Sequence, residues 1–231
     1  MKVTFNMATI PDRLDIACKA VESVYDQADE VRVYLNNFKE IPKEFIDDKI
    51  KTYRGKDLNA SGKLYNALNK DEYYFCIDDD LEYPNDYKDY MISKLNKYDD
   101  NIAVSLHGKV LRDGYKRNYF SSNTIRKSFH CLQDVHRDSW VHVLGNGVSA
   151  FNTNKVKIDV KKFKYFFMDD IYVSLQMQQQ QIPILVLKHN KDYLRYNHPK
   201  VKTLHEIYVQ QDTAHKEIIN SINWKLNTPQ D

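Results

Sequence analysis

Tyr73-Tyr74-Phe75-Cys76-Ile77-Asp78-Asp79-Asp80-Leu81-Glu82-Tyr83-Pro84 carries an apolar and aromatic run straight into three adjacent carboxylates. Five consecutive β-favouring residues without polar alternation suit a central strand covered on both faces, as in a parallel sheet. On an extended backbone Asp78 and Asp80 point the same way, roughly 6.5–7 Å apart at their Cα atoms, with Asp79 on the opposite side. Three neighbouring carboxylates resist ionising together unless cations compensate. A divalent metal does so directly, because Mg²⁺ or Mn²⁺ accepts hard oxygen ligands from one or two side chains when diphosphate oxygens and water complete its shell. The alternative is a solvated turn before a helix beginning near Pro84 or Asn85, where acid at the N-terminus is favourable.

Upstream, residues 3–5 read as a first strand and residues 6–13 as the loop leaving it. A helix follows, with Asp12 as candidate N-cap and Leu14, Ala17, Val21, Val24 and Tyr25 at helical spacing. Residues 31–35 alternate as a strand ending at Asn36-Asn37, residues 50–53 read as another, and Ser61 is a candidate cap for a helix carrying Leu64, Ala67 and Leu68. Strand, helix, strand, strand, helix, strand is the rhythm of a nucleotide-binding α/β half, in which ligands gather at the carboxyl ends of strands. The acids sit at such an end.

Downstream, Tyr87, Tyr90, Met91, Leu95 and Tyr98 have helical spacing, and residues 102–106 return as a strand. Residues 107–139 lose periodicity and mix bases with aromatics: Lys109, Arg112, Tyr115, Lys116, Arg117, Tyr119, Phe120, Arg126, Lys127, Phe129 and His130. A long unpatterned segment in a compact domain is a flap over an acceptor site or a solvated basic insertion. Gly145-Asn146-Gly147 spends two of only six glycines, either on a tight hairpin or on close approach by a ligand. Asp169 and Asp170 follow the hydrophobic run Phe166-Phe167-Met168 and open a helix, a position where acids cap or catalyse. Residues 182–187 are a further buried strand followed directly by His189, and a helix over residues 204–224 ends the chain.

With 231 residues, 42% hydrophobic and 29% charged, the composition is that of one soluble globular domain. The longest apolar run, residues 182–187, is far short of the ~20 residues of a membrane span, and no leader pattern precedes the first strand. Cys18, Cys76 and Cys131 are odd in number, widely separated and set in apolar surroundings, which argues against both a disulfide framework and a zinc site and suits a reducing cytoplasm. A net charge of +2 does not by itself announce a nucleic-acid binder.

Taken in order, the Thr-Ile-Pro-Asp-Arg loop, Asp78-Asp79-Asp80, Gly145-Asn146-Gly147, Met168-Asp169-Asp170 and His189 resemble the GT-A glycosyltransferases, in particular small family-2-like members, over roughly residues 1–190. The resemblance implies an α/β fold with a Rossmann-type, mostly parallel sheet flanked by helices in a single catalytic domain. That domain would span residues 1–200, with a nucleotide-binding half at 1–83, an acceptor half at 84–200 bearing a flexible insertion at 107–139, and a helical extension at 201–231. It implies an inverting transfer from a nucleotide-sugar, a UDP-sugar by family frequency. Asp80, Asp78 and His189 would hold the metal, with His198 as a substitute; an imidazole beside carboxylates suits Mn²⁺ better than Mg²⁺. Thr9, Arg13, Asn36, Lys63, Asp78 and Asp79 would contact the nucleotide, and Gly145, Asn146 and Gly147 the acceptor. Asp170 would be the catalytic base, with Asp169 as the alternative base or a helix cap. The position after the second strand, commonly acidic in the family, is here Asn36-Asn37.

A nucleotidyltransferase would also use paired carboxylates and metal, but it wants a glycine-rich phosphate loop near the N-terminus, and no glycine precedes Gly55. A retaining transferase would not require Asp170. A non-catalytic nucleic-acid-binding module would use the basic, aromatic segment 107–139. The same segment makes a hydroxylated base in DNA one acceptor candidate among glycans, proteins and small molecules.

Overall fold

The computed structural model describes residues 1–112, 124–208 and 212–229. In chain order they form β1 (Lys2–Thr9), α1 (Leu14–Tyr25), β2 (Glu30–Leu35), β3 (Ile50–Arg54), β4 (Glu72–Ile77), β5 (Leu81–Glu82) and α2 (Tyr87–Asn96). The second half contributes β6 (Ala103–Ser105), β7 (Gly108–Leu111), β8 (Ile125–Phe129), β9 (Ser139–Val141), β10 (Val143–Leu144), β11 (Val148–Asn152), α3 (Asp169–Gln179), β12 (Ile184–Val186), β13 (Arg195–Tyr196), α4 (Leu204–Tyr208) and α5 (Asp212–Ile219).

Eight strands build a central sheet in the order β3-β2-β1-β4-β11-β6-β12-β9. The run from β3 to β4 is parallel, β11 opposes both β4 and β6, β12 lies parallel to β6, and β9 opposes β12. The chain is thus an α/β fold whose mostly parallel sheet is flanked by helices, as its sequence suggests. The acidic strand, β4, sits at the centre, where the parallel half meets β11.

The β4 pleat shows why an uninterrupted apolar run is needed there. Phe75 and Ile77 pack on one face with Ala17, Val21 and Val24 of α1 and Met91 and Leu95 of α2. Tyr74 and Cys76 pack on the other with Ile171, Val173 and Met177 of α3 and Ile219 of α5. Stacked aromatic pairs mark both faces: Phe5–Phe75 with centroids 4.5 Å apart and Tyr74–Phe151 at 5.3 Å. Each such buried side chain contributes about 1.5–3 kcal/mol, so neither face tolerates a polar substitution cheaply. At the amino end of β4, Glu72 accepts two hydrogen bonds from Arg32, at 2.7 and 2.8 Å, which keeps this buried carboxylate paired far from the acidic tip.

Several local expectations are corrected. β1 runs to Thr9 rather than ending at Phe5, because residues 6–9 continue the ladder with β2 and the Asn6 side-chain NH2 donates to the Thr4 and Phe75 carbonyls. Asp12 does not cap α1; a 3-10 turn at Pro11–Arg13 leads into the helix instead. The expected helix after Ser61 is only a 3-10 segment, Asn59–Leu64, and Ser61 Oγ donates to the Phe166 carbonyl at 2.7 Å rather than capping. Part of the segment 107–139 is ordered as β7 and β8, which join β10 in a three-stranded antiparallel sheet, and as β9 at the edge of the main sheet. Tyr115, Lys116, Arg117, Tyr119 and Phe120 lie outside the described residues. Of the expected C-terminal helix, Leu204–Tyr208 and Asp212–Ile219 are helical and residues 209–211 lie outside the described residues; the helix stops at Ile219 rather than reaching Trp224, which packs beyond it with its indole N–H donated to the Ile219 carbonyl at 2.7 Å.

Candidate active site

β4 ends at Ile77, and the chain turns through Asp78, Asp79 and Asp80 before β5. The turn overrides the extended geometry expected for these residues. Asp79 does not face away; all three acids line one cavity of about 470 Å³ at the carboxyl ends of β1, β2 and β4. Thr9, Arg13, Asn36, Asn59, Lys63, Gly147, Asp169 and Asp170 line it too, as do Lys202 and Thr203 from the C-terminal segment.

Two cations, the half-buried Arg13 and the buried Lys63, hold the acidic turn. Arg13 Nη1 lies 2.9 Å from Asp79 Oδ1 and Nη2 lies 2.5 Å from Asp80 Oδ2. Thr9 Oγ1 donates to the other Asp79 oxygen at 2.7 Å. Lys63, only 3% exposed, donates to Asp78 and lies 3.7 Å from Asp169, bridging the two acidic clusters. Burial alone would lower the Lys63 ammonium, but the charges of Asp78 and Asp169 raise it. Burial pushes Asp79 up to about 7 against the pull of Arg13, and burial together with Asp78 raises Asp80.

Asn146 organises the second acidic cluster. Its backbone N–H donates to Asp170 Oδ1 at 2.7 Å and its side-chain amide to Asp169 Oδ2 at 2.9 Å. Asp169 is therefore tied on two sides, by Asn146 and Lys63. Asp170 keeps an oxygen toward the cavity, and burial next to Asp169 pushes it up to about 7. Gly147 presses against the acidic turn: a Cβ there would fall 1.7 Å from Asp78 Oδ2. The glycine loop was expected to contact an acceptor, yet Asn146 is fully buried and spends its amide on the acids; of the three loop residues only Gly147 lines the cavity.

Asn36 is similarly committed. Its side chain accepts from Leu58 N–H and donates to the Asn59 carbonyl, both at 2.9 Å, bracing the loop after β3. Asn37, at φ 62°, donates to Asp57 at 2.8 Å, and both line the cavity. Sequence reasoning passed over Asp57, Asn59, Lys202 and Thr203. Asp57 could have been found as an acid just past a strand end, but nothing in the pattern singles out Lys202 or Thr203.

His189 does not join the acids. It forms a strand-like bridge with Val135, its Nδ1 faces the Leu187 carbonyl at 2.8 Å, and its Nε2 faces the His130 carbonyl at 3.3 Å. His198 follows Asn197, whose N–H donates to the Asp80 carbonyl at 2.8 Å, so the β13–β5 ribbon lays this stretch of chain against the acidic turn, while His198 itself is exposed and does not line the cavity. Among the described residues, Asp78, Asp79 and Asp80 do not converge with one another or with a histidine as a ready set of three metal ligands.

No family model matches the chain, and no curated protein does. Among solved structures, it is similar to galactosyltransferase LgtC in complex with donor and acceptor sugar analogs, at 15% identity and a TM-score of 0.40, covering 84% of this chain and 68% of that one. It is also similar to an active-site mutant of LgtC, at 13% identity and a TM-score of 0.35, and there 78% of this chain covers 65% of the other.

Proposed function

We propose that the protein is a metal-dependent glycosyltransferase that moves a sugar from a nucleoside-diphosphate sugar, UDP-linked by preference, to an acceptor hydroxyl with inversion. One observation carries this reading: the acidic turn and the Asp169–Asp170 pair meet in a single cavity at the carboxyl ends of parallel strands. Six cavity carboxylates, Asp57, Asp78, Asp79, Asp80, Asp169 and Asp170, stand against three cations, Arg13, Lys63 and Lys202. That surplus of negative charge in a half-closed site suits a divalent cation.

Asp78 and Asp80 would hold the metal, with His198 better placed than His189 to complete it. When bound, the metal would stabilise charge on the departing diphosphate. Arg13 and Lys202 would meet phosphate oxygens, and Asn37 and Asp57 would meet the nucleoside at the ends of β2 and β3. Asp170 would accept the proton of the attacking hydroxyl, and a carboxyl poised near 7 is matched to that transfer at neutral pH. Asp169, locked by Asn146 and Lys63, positions its neighbour. Exposed Arg126 and Lys127 on β8 offer a surface for an anionic acceptor, DNA among them; turnover that falls steeply with salt would favour nucleic acid over a small neutral acceptor.

The test is a thermal-shift panel of nucleotide-sugars with and without Mn²⁺, in which selective binding stabilises the folded state by mass action. Asp80→Ala should abolish Mn²⁺-dependent transfer while the protein stays folded, because Arg13 retains Asp79. Undiminished activity in EDTA refutes the metal role. A near-normal rate in Asp170→Asn refutes the base and favours a retaining transfer.

A further inference from the structure

Behind the glycine loop lies a grouping that the proposed transfer does not use. Ligand atoms of His107, His130 and Cys131 lie within 4.8 Å of one another. The two imidazoles are tilted against each other at 4.9 Å between centroids. They come from separate elements: His107 from the link between β6 and β7, and His130-Cys131 from the end of β8. From the convergence of these three side chains we infer a second metal site, specific for a borderline-soft ion of the Zn²⁺ class.

The donor set decides the ion. One thiolate and two imidazoles match Zn²⁺, whereas Mg²⁺ and Mn²⁺ prefer oxygen. Metal–nitrogen bonds of ~2.0–2.1 Å and metal–sulfur bonds of ~2.3 Å set tetrahedral ligand spacings of about 3.3–3.6 Å, so the ligand atoms need to close by at most about 1.5 Å. Three protein ligands leave a fourth position for water or an exogenous group.

The surroundings show what binding would change. Leu132 N–H donates to His130 Nδ1 over a long 3.2 Å. A metal taken at Nδ1 replaces that bond, and a metal at Nε2 sends the imidazole proton to Nδ1 and breaks it. Either way the Leu132 amide loses its acceptor. The Cys131 thiol gives up its proton as the sulfur–metal bond forms, so one proton leaves per ion bound. His107 also supports the glycine loop: its carbonyl accepts Gly145 N–H at 2.8 Å, and a Cβ on Gly145 would meet the His107 Cβ at 2.5 Å. An ion here would therefore tie the end of β8 to the loop whose other end, Gly147, contacts Asp78.

The probe is Co²⁺ added to the full, metal-stripped chain, because a thiolate ligand gives a near-ultraviolet charge-transfer band that carboxylate sites do not. One equivalent should develop that band with the visible bands of a tetrahedral ion, Zn²⁺ should bleach it, and the Leu132 amide resonance should shift. Cys131→Ser should lose the charge-transfer band, Cys18→Ser should keep it, and His107→Ala should weaken Co²⁺ by more than the ~10–100-fold typical of a lost outer-shell partner. The band is read from folded protein, so metal-free melting of each variant is recorded alongside; His130→Gln, which keeps bulk on the exposed ring, serves if His107→Ala melts early. Cobalt spectra without a charge-transfer band, or a band that survives Cys131→Ser, overturn the assignment. Asp80→Ala leaves the band intact, which separates this site from the cation of the proposed transfer.

Discussion

Gly147→Ala should disable the acidic turn by a route that can be counted from the structure. The added Cβ would meet Asp78 Oδ2 at 1.7 Å, Cγ at 2.0 Å and Oδ1 at 2.5 Å, so the carboxylate has to leave its place. Overpacking of a filled site costs about 1–3 kcal/mol. Lys63 then loses its nearer partner and keeps only Asp169 at 3.7 Å. Because the Asp78 side chain is 41% exposed, solvent screens that loss, and about 1 kcal/mol is a fair figure for it. The sum, ~2–4 kcal/mol, corresponds to a melting temperature lower by roughly 4–16 °C for a chain of this size. The decisive assay is a double-mutant cycle by thermal or urea melting. In the Asp78→Ala background the obstruction is gone, so adding Gly147→Ala should cost less than about 1 kcal/mol. A single variant that melts with the wild type, or a penalty that persists without Asp78, refutes the close-approach account of this glycine.

Asp79 and Asp170, both pushed up to about 7 chiefly by burial, make the metal-free protein lose stability as pH rises. Between about 4 and 7 the unfolded chain has released protons that the folded state still holds, so the slope is negative there. Melting from pH 5 to 8 should show this decline, flattened in Asp170→Asn, and a rising profile in that window would contradict it. Lys63→Met should cost ~3–5 kcal/mol by urea unfolding, because it leaves Asp78 and Asp169 facing each other around an apolar side chain. Added Mn²⁺ should recover part of that loss. Trp224→Ala should cost ~3–5 kcal/mol in one cooperative transition, since the indole is 2% exposed and packed with α3 and α5; an unchanged midpoint would detach the C-terminal segment from the core.

The legible parts of the fold are those whose signal is local. β4 reads correctly because both of its faces are covered, and α1 and α2 read correctly because their apolar residues recur at helical spacing. The misread parts depend on partners remote in sequence. Asn6 looks like loop until the Phe75 carbonyl is placed beside it. Ser61 looks like a cap until the Phe166 carbonyl arrives from more than a hundred residues away. The segment 107–139 lacks alternation because β8 exposes three consecutive residues, Arg126, Lys127 and Ser128, and owes its place to pairing with β7.

The site follows the same division. Acids at the end of a central strand and at the start of a helix are recognisable from chain position, and both clusters reach one cavity. Which histidine stands near them is not a property of position along the chain. His189 comes first after β12, but continued pairing with Val135 carries it along the sheet edge, where its ring nitrogens face carbonyls. The chain next to His198 lies on the acidic turn because the two-residue strands β13 and β5 pair and Asn197 bonds the Asp80 carbonyl, while His198 itself is exposed and does not line the cavity. A ribbon that short has no periodicity to read, so its register is set by the turn it covers. The acidic turn is therefore covered through main-chain hydrogen bonding, and a substitution that breaks the ribbon, such as Tyr196→Pro, should lower the melting temperature by loosening Asn197 from the Asp80 carbonyl, whereas an unchanged midpoint would show that the ribbon does not hold the turn.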